Sequence, residues 1–193
     1  MALNRRLKTE MSHRRFDREN GFTLVEVIIA VLILTLGLVS LAGLFGASIG
    51  TMYFAQENLI AKQIARDTAE SIFTARNTQQ ITFDEIQNVG SGGIFLDGPQ
   101  SPREPGADGL AGTADDGPIS EMVQPGPDGY MNTADDEIRS LVSYQRAISI
   151  QPILRPDGTT NPDVRQLTVS VQFSNVRGQP ITYQFGSYVS RFR

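Results

Sequence analysis

The chain has 193 residues, enough for one membrane segment and one modest globular domain. It contains no cysteine and one histidine, His13, so disulfides and thiolate metal sites are excluded. The net charge of −4 is uneven, because residues 1–21 carry six basic and three acidic side chains and the rest of the chain is acidic. A basic N-terminus on an acidic body is typical of a protein held across a membrane with its basic end inside, and does not suggest nucleic-acid binding.

Residues 22–49 form an apolar run with a single charge, Glu26. As a helix, this run would span roughly 42 Å at a rise of about 1.5 Å per residue, more than the ~30 Å hydrocarbon core requires. A secretory signal peptide is the main alternative, with a small-residue cleavage site near Ala42 or Ala47. Its apolar region would be only about 7–15 residues long, so the length of the run argues against it.

Gly21 separates the basic stretch from the apolar run, and Glu26 follows five positions later. A carboxylate costs about 2.5–3.5 kcal/mol at the centre of a membrane helix and less near its edge. Taken alone, Glu26 can therefore be either a harmless charge at the membrane edge or a functional one.

The sequence GFTLVEV, from Gly21 to Val27, resembles the processing signature of type IV prepilins and type II secretion pseudopilins. In that family a membrane peptidase cuts after the glycine and methylates the new terminal amine. The resemblance implies cleavage between Gly21 and Phe22, N-methylation of Phe22, and loss of 21 of the 193 residues, which leaves 172. It also implies a role for Glu26 in assembly, where its carboxylate would pair with the N-terminal amine of a neighbouring subunit.

The resemblance extends to about residue 77 and is closest to V-type minor pilins and I-type pseudopilins of type II secretion. Gly43 stands where many abundant pilins have a proline, which favours a minor subunit. The resemblance implies a minor pilin that initiates assembly of a type IV pilus or is incorporated into it. A pseudopilin of the secretion tip is one alternative, and a membrane-anchored calcium-binding surface protein that never polymerises is another.

The expected partners are a prepilin peptidase, other major and minor pilins or pseudopilins, and inner-membrane lipid before assembly. We expect a single-pass protein of the inner membrane with a cytoplasmic N-terminus and, after assembly, a periplasmic or extracellular filament. A translation start at Met11 would give a shorter basic leader.

The helix is predicted to continue through residues 50–77, because apolar residues recur there at i, i+3 and i+4 spacing without proline. This stripe is predicted to be the core face of a globular domain: Ile60, Ala61, Ile64, Ala65, Thr68, Ala69, Ile72 and Phe73.

Residues 140–193 are predicted to form an antiparallel sheet, because segments 141–150, 167–173 and 181–189 alternate between apolar and polar residues. Arg146 interrupts the apolar face of the first segment. The sequence thus predicts an α+β fold in which a long N-terminal helix, half transmembrane and half amphipathic, packs on a small C-terminal antiparallel β-sheet.

Residues 78–139 are predicted to be a loop rich in Gly, Pro and Asp. The pattern P-G-x-D-G-x-x-x-T-A-D-D occurs twice in it, at residues 105–116 and 125–136. Because Ca²⁺ favours carboxylate and carbonyl oxygens, the repeated aspartates are candidate calcium ligands: Asp108, Asp115, Asp116, Asp128, Asp135 and Asp136. The pattern is not an EF-hand, and the alternative is a solvated acidic loop with turn chemistry at each Asp-Gly.

Catalysis is not predicted. No His or Cys follows Gly21, and the chain has no P-loop, G-x-S-x-G or H-E-x-x-H pattern. Calcium is the one candidate cofactor.

Overall fold

The computed structural model describes residues 21–175 and 177–192. The predicted leader, except Gly21, and Met11 lie outside these residues. One helix is followed by five strands: α1 (Leu24–Asn77), β1 (Glu121–Gln124), β2 (Glu137–Ser140), β3 (Gln145–Leu154), β4 (Thr160–Ser174) and β5 (Pro180–Ser190). The described part of the chain divides into two compact units, the first ending at Gly46 and the second beginning at Ala47.

The N-terminal half of α1 is exposed within the described part of the chain. Every residue from 21 to 49 is exposed, although almost all are apolar. By length and composition this part of α1 can cross a membrane. Exposed apolar surface costs about 25 cal/mol per Å² in water, so these side chains need cover from lipid or from other helices.

The C-terminal half of α1 buries the predicted stripe. Seven of its eight predicted residues are buried, together with Ala75. The eighth, Phe73, is partly buried and packs against the same core. On the other side of this core lie Tyr144 and the inward-facing residues of β4, among them Val169.

Strands β3, β4 and β5 form one antiparallel sheet in that order. Val169 in the middle strand pairs with Ile148 on one side and with Phe185 on the other. The alternation of β4 directs Leu167, Val169 and Val171 into the core, where all three are fully buried. The α+β fold, with the helix packed on a small antiparallel sheet, is confirmed.

The structure differs from the predicted boundaries: β3 runs on to Leu154, past the predicted end at 150, and β4 begins at Thr160, seven residues before the predicted start at 167. β3 begins at Gln145 rather than at 141, because Leu141–Ser143 forms a short 3₁₀ turn. Strands β1 and β2 pair as an antiparallel hairpin, and β1 and most of β2 lie inside the segment predicted to be loop. Each of these strands has only four residues, and neither EMVQ nor EIRS alternates strictly between polar and apolar residues, so the period-2 signal is missing from the sequence. The second acidic repeat is the connection between them.

Candidate functional site

The predicted cleavage site lies directly in front of α1. Residues 21–23 have no regular structure. The hydroxyl oxygen of Thr23 accepts a hydrogen bond from the backbone N–H of Glu26 at 3.2 Å, and the Thr23 carbonyl accepts one from the N–H of Val27 at 3.2 Å. Thr23 therefore caps the helix, and the bond between Gly21 and Phe22, where cleavage is predicted, lies outside it.

Thr23 is a residue that the sequence analysis missed. Thr-x-x-Glu before an apolar run is the capping-box pattern, and it was available as a signal in the sequence. It gives Glu26 a second, purely structural interpretation as the third residue of a capped helix. Any test of Glu26 must therefore separate the effect of its charge from the effect of helix capping.

Glu26 lies in the first turn of α1, where a carboxylate interacts favourably with the helix dipole. Within the described residues, 21–175 and 177–192, it forms no salt bridge. Cleavage before Phe22 would create a terminal amine on this chain and on its neighbours. The family resemblance implies that such an amine is the positive charge that pairs with Glu26.

The aspartates of the first repeat close a compact loop with hydrogen bonds of their own. The Asp108 carboxylate accepts the N–H of Leu110 at 2.8 Å, and Asp115 accepts the N–H of Asp108 at 3.2 Å. The Thr113 hydroxyl donates to Asp115 at 2.8 Å. The hydrogen bond from this hydroxyl and, to a smaller extent, the one from the Asp108 N–H hold the pKa of Asp115 below its ordinary value. Asp115 is therefore ionised near neutral pH.

The second repeat folds in the same way. Asp128 accepts the N–H of Tyr130 at 2.8 Å, and Asp135 accepts the N–H of Asp128 at 3.2 Å. The Thr133 hydroxyl donates to Asp135 at 2.8 Å and, with the Asp128 N–H, lowers the pKa of Asp135. The shared sequence pattern is therefore a self-contained folding unit.

The six predicted calcium ligands do not form a cation cage in this arrangement. Hydrogen bonds join Asp108 to Asp115 and Asp128 to Asp135, but each of these bonds runs from a backbone N–H to a carboxylate. Among the described residues, no group of three or more His, Cys, Asp or Glu side chains could hold a metal ion. Calcium binding by the repeats stays a prediction.

Asp116 of the first repeat forms a buried ion pair with Arg146 of β3. The two side chains are 3 % and 5 % exposed, and Arg146 Nη2 lies 3.3 Å from Asp116 Oδ2. Arg146 Nη1 also donates to the hydroxyl of Thr68 in α1 at 3.5 Å. Burial lowers the pKa of Arg146, and the Asp116 carboxylate opposes this change. The arginine that interrupts the apolar pattern of β3 thus joins the first repeat, the sheet and the helix.

We expect Asp116→Ala to lower the free energy of unfolding by about 3–5 kcal/mol, because it leaves a buried guanidinium without its counter-charge. Asp136→Ala is the matched control. Asp136 accepts the N–H of Asn132 at 2.7 Å, as Asp116 accepts the N–H of Gly112 at 2.8 Å, but it forms no salt bridge among the described residues. Its loss should cost about 1 kcal/mol or less. Urea unfolding of the detergent-solubilised protein, followed by circular dichroism, measures both, and equal losses would contradict a specific role for the Asp116–Arg146 pair.

Comparison with known proteins addresses the N-terminal segment. The family described as Prokaryotic N-terminal methylation motif matches residues 17–42, which include Gly21, Phe22, Glu26 and the first part of α1. Neither the curated proteins nor the solved structures give a significant match to the chain. The chain therefore carries a type IV prepilin-like methylation signal at the start of a long apolar helix.

Proposed function

We propose that this protein is a minor pilin, which is cleaved between Gly21 and Phe22, methylated on Phe22 and incorporated into a type IV pilus. The observation that carries the proposal is the coincidence of the methylation motif with a helix that begins immediately after the cut and exposes its whole apolar half. Lipid covers this surface before assembly, and the helices of other subunits cover it afterwards.

The retained carboxylate of Glu26 gives this assembly a means of selecting register. An α-amino group is largely cationic near neutral pH. When helices pack away from water, an unpaired charge is strongly unfavourable, so Glu26 favours the arrangement in which it meets the amine of Phe22 on a neighbour. The capped helix start holds Glu26 about one turn beyond Phe22 of its own chain.

A pseudopilin of a type II secretion tip has the same requirements for processing and for helix packing, and it is the second candidate. In either role the protein is a structural subunit rather than an enzyme. A surface protein that is anchored by the same helix but never polymerises would keep its basic leader, so the mature N-terminus distinguishes it from both.

The mature protein is expected to begin with N-methylated Phe22. Intact-mass and N-terminal peptide mass spectrometry of the protein from its native membrane should show loss of residues 1–21 and a gain of one methyl group. In cells that lack the prepilin peptidase, the leader should remain. A mature N-terminus at the initiator methionine, or beyond Ala42, would overturn the proposal.

We expect Glu26→Gln to be processed normally but to be absent from the sheared filament fraction, as should Glu26→Ala and Glu26→Val. Glutamine still fits the third position of a capping box but cannot neutralise an amine. Thr23→Ala is the matched control, because it removes the cap and keeps the charge, and it should still be incorporated. Quantitative immunoblotting of membrane and filament fractions measures both. If Glu26→Gln is incorporated normally and only Glu26→Ala and Glu26→Val fail, the role of Glu26 is helix capping rather than charge neutralisation.

Calcium binding by the repeats is a separate proposal, supported by ten acidic residues and only one basic residue between Asp97 and Glu137. To bind Ca²⁺, the Asp115 and Asp135 carboxylates would have to give up the hydrogen bonds that they accept from N–H and O–H groups and coordinate the ion instead. Ca²⁺ at about 1 mM should then raise the Tm by several degrees relative to EGTA, because an ion that binds only the folded state stabilises it. Asp135→Asn should reduce the shift, and Mg²⁺ is the control ion. An unchanged Tm favours the solvated-loop interpretation.

A further inference from the structure

The two repeats share one fold but differ in their surroundings. Leu110 of the first repeat is 1 % exposed, whereas Tyr130, at the same place in the second, is 72 % exposed. Ala111 is 7 % exposed and its counterpart Met131 is 50 % exposed. The two residues at the tip of the loop, Leu110 and Ala111, are therefore buried in the first repeat. Their larger counterparts in the second repeat, Tyr130 and Met131, are exposed.

The contacts of the first repeat show which surroundings the tip of such a loop can pack against. Leu110 enters the core, and the backbone of Gly112 lies against Ile148 so closely that an added Cβ would come within 2.5 Å of the Ile148 Cδ1 atom. The Gly112 carbonyl accepts the N–H of Leu96 at 2.8 Å. Arg146 then pairs with Asp116. The seat of the first repeat is thus an apolar socket with an arginine at its edge.

The second repeat keeps the conformation needed for such a seat. Asn132 has a φ of +66° where Gly112 has +87°, and asparagine is among the few residues that tolerate this left-handed region. Its N–H orients Asp136, as the N–H of Gly112 orients Asp116. The β1–β2 hairpin holds both ends of the repeat. The apolar tip and the carboxylate are therefore preorganised together, which lowers the entropic cost of binding.

Within the described residues, the first repeat fills the seat in which Asp116 pairs with Arg146, so a second copy of this chain does not offer that seat. Met131 does line one side of a groove of about 500 Å³ beside α1, yet it stays half exposed there. A tip with exposed Tyr and Met next to a carboxylate has the composition of an interface centre rather than of a solvated loop.

We propose that the second repeat, residues 125–136, is a docking knob for a different protein subunit. Tyr130 and Met131 enter an apolar socket of that subunit, and Asp136 pairs with an arginine at the edge of the socket. The contact is similar to the one that the first repeat makes with its own domain, but the socket is wider, because Asn132 has a side chain at the position where Gly112 lies too close to Ile148 to carry a Cβ. It requires neither cleavage at Gly21 nor filament formation, so it can fail or hold independently of the proposed function.

Site-specific cross-linking in the native cells tests the proposal on the full-length protein. With p-benzoylphenylalanine at position 130, irradiation should join the chain to one different protein, and mass spectrometry should locate the bond in an apolar patch beside an arginine. The same probe at position 188, an exposed tyrosine of β5, is the control and should not give this product.

Charge reversal distinguishes docking from mere proximity. Asp136→Arg should reduce the cross-link yield at least about tenfold, and Asp136→Asn should reduce it less. Reversing the partner's arginine to aspartate should restore the yield with Asp136→Arg. A cooperative unfolding transition of Asp136→Arg with a midpoint close to that of Asp136→Asn excludes misfolding as the cause of its larger loss. The proposal is overturned if position 130 cross-links only within its own chain, only to a second copy or not at all, or if charge reversal leaves the yield unchanged.

Discussion

The apolar side chains of residues 22–49 are exposed in the described part of the chain, and they are the surface that most needs cover from water. The core of this protein begins at Ile60 on α1 and takes in none of them, so that about half of the helix presents apolar side chains on every face. A single carboxylate, Glu26, lies at the start of this surface. The methylation motif, the capped helix start and Glu26 all lie at the end of this exposed apolar surface, which needs cover from lipid or from other helices.

In the C-terminal unit, a buried ion pair joins elements that are far apart in the sequence. Arg146 contacts Asp116 of the first repeat and Thr68 of α1, and its own strand belongs to the sheet. Replacing such a pair with apolar residues often leaves stability unchanged, so its value lies in fixing one arrangement of loop, helix and strand. With no cysteine in the chain, no disulfide can perform this task.

The duplicated repeat shows how a loop can fold without a core. Aspartate and threonine side chains satisfy the backbone N–H groups within each copy, so both copies reach the same conformation although only one is packed against the domain. The conformation of each copy therefore follows from its own hydrogen bonds rather than from packing against the rest of the domain. This independence leaves the tip of the second copy available for a contact outside the chain, and the same aspartates are those that a cation would have to recruit.

The sequence by itself determined the features that depend on neighbouring residues: the processing motif at Gly21–Glu26, the apolar anchor, the stripe from Ile60 to Phe73 and the alternating strands. Only the tertiary structure decided which acid pairs with Arg146, because Asp116 lies 30 residues away and Asp136 has the same local pattern. It also decided that one repeat is buried and the other exposed. Two segments with the same motif make the same local hydrogen bonds, whereas burial depends on packing against distant parts of the chain that no local pattern records.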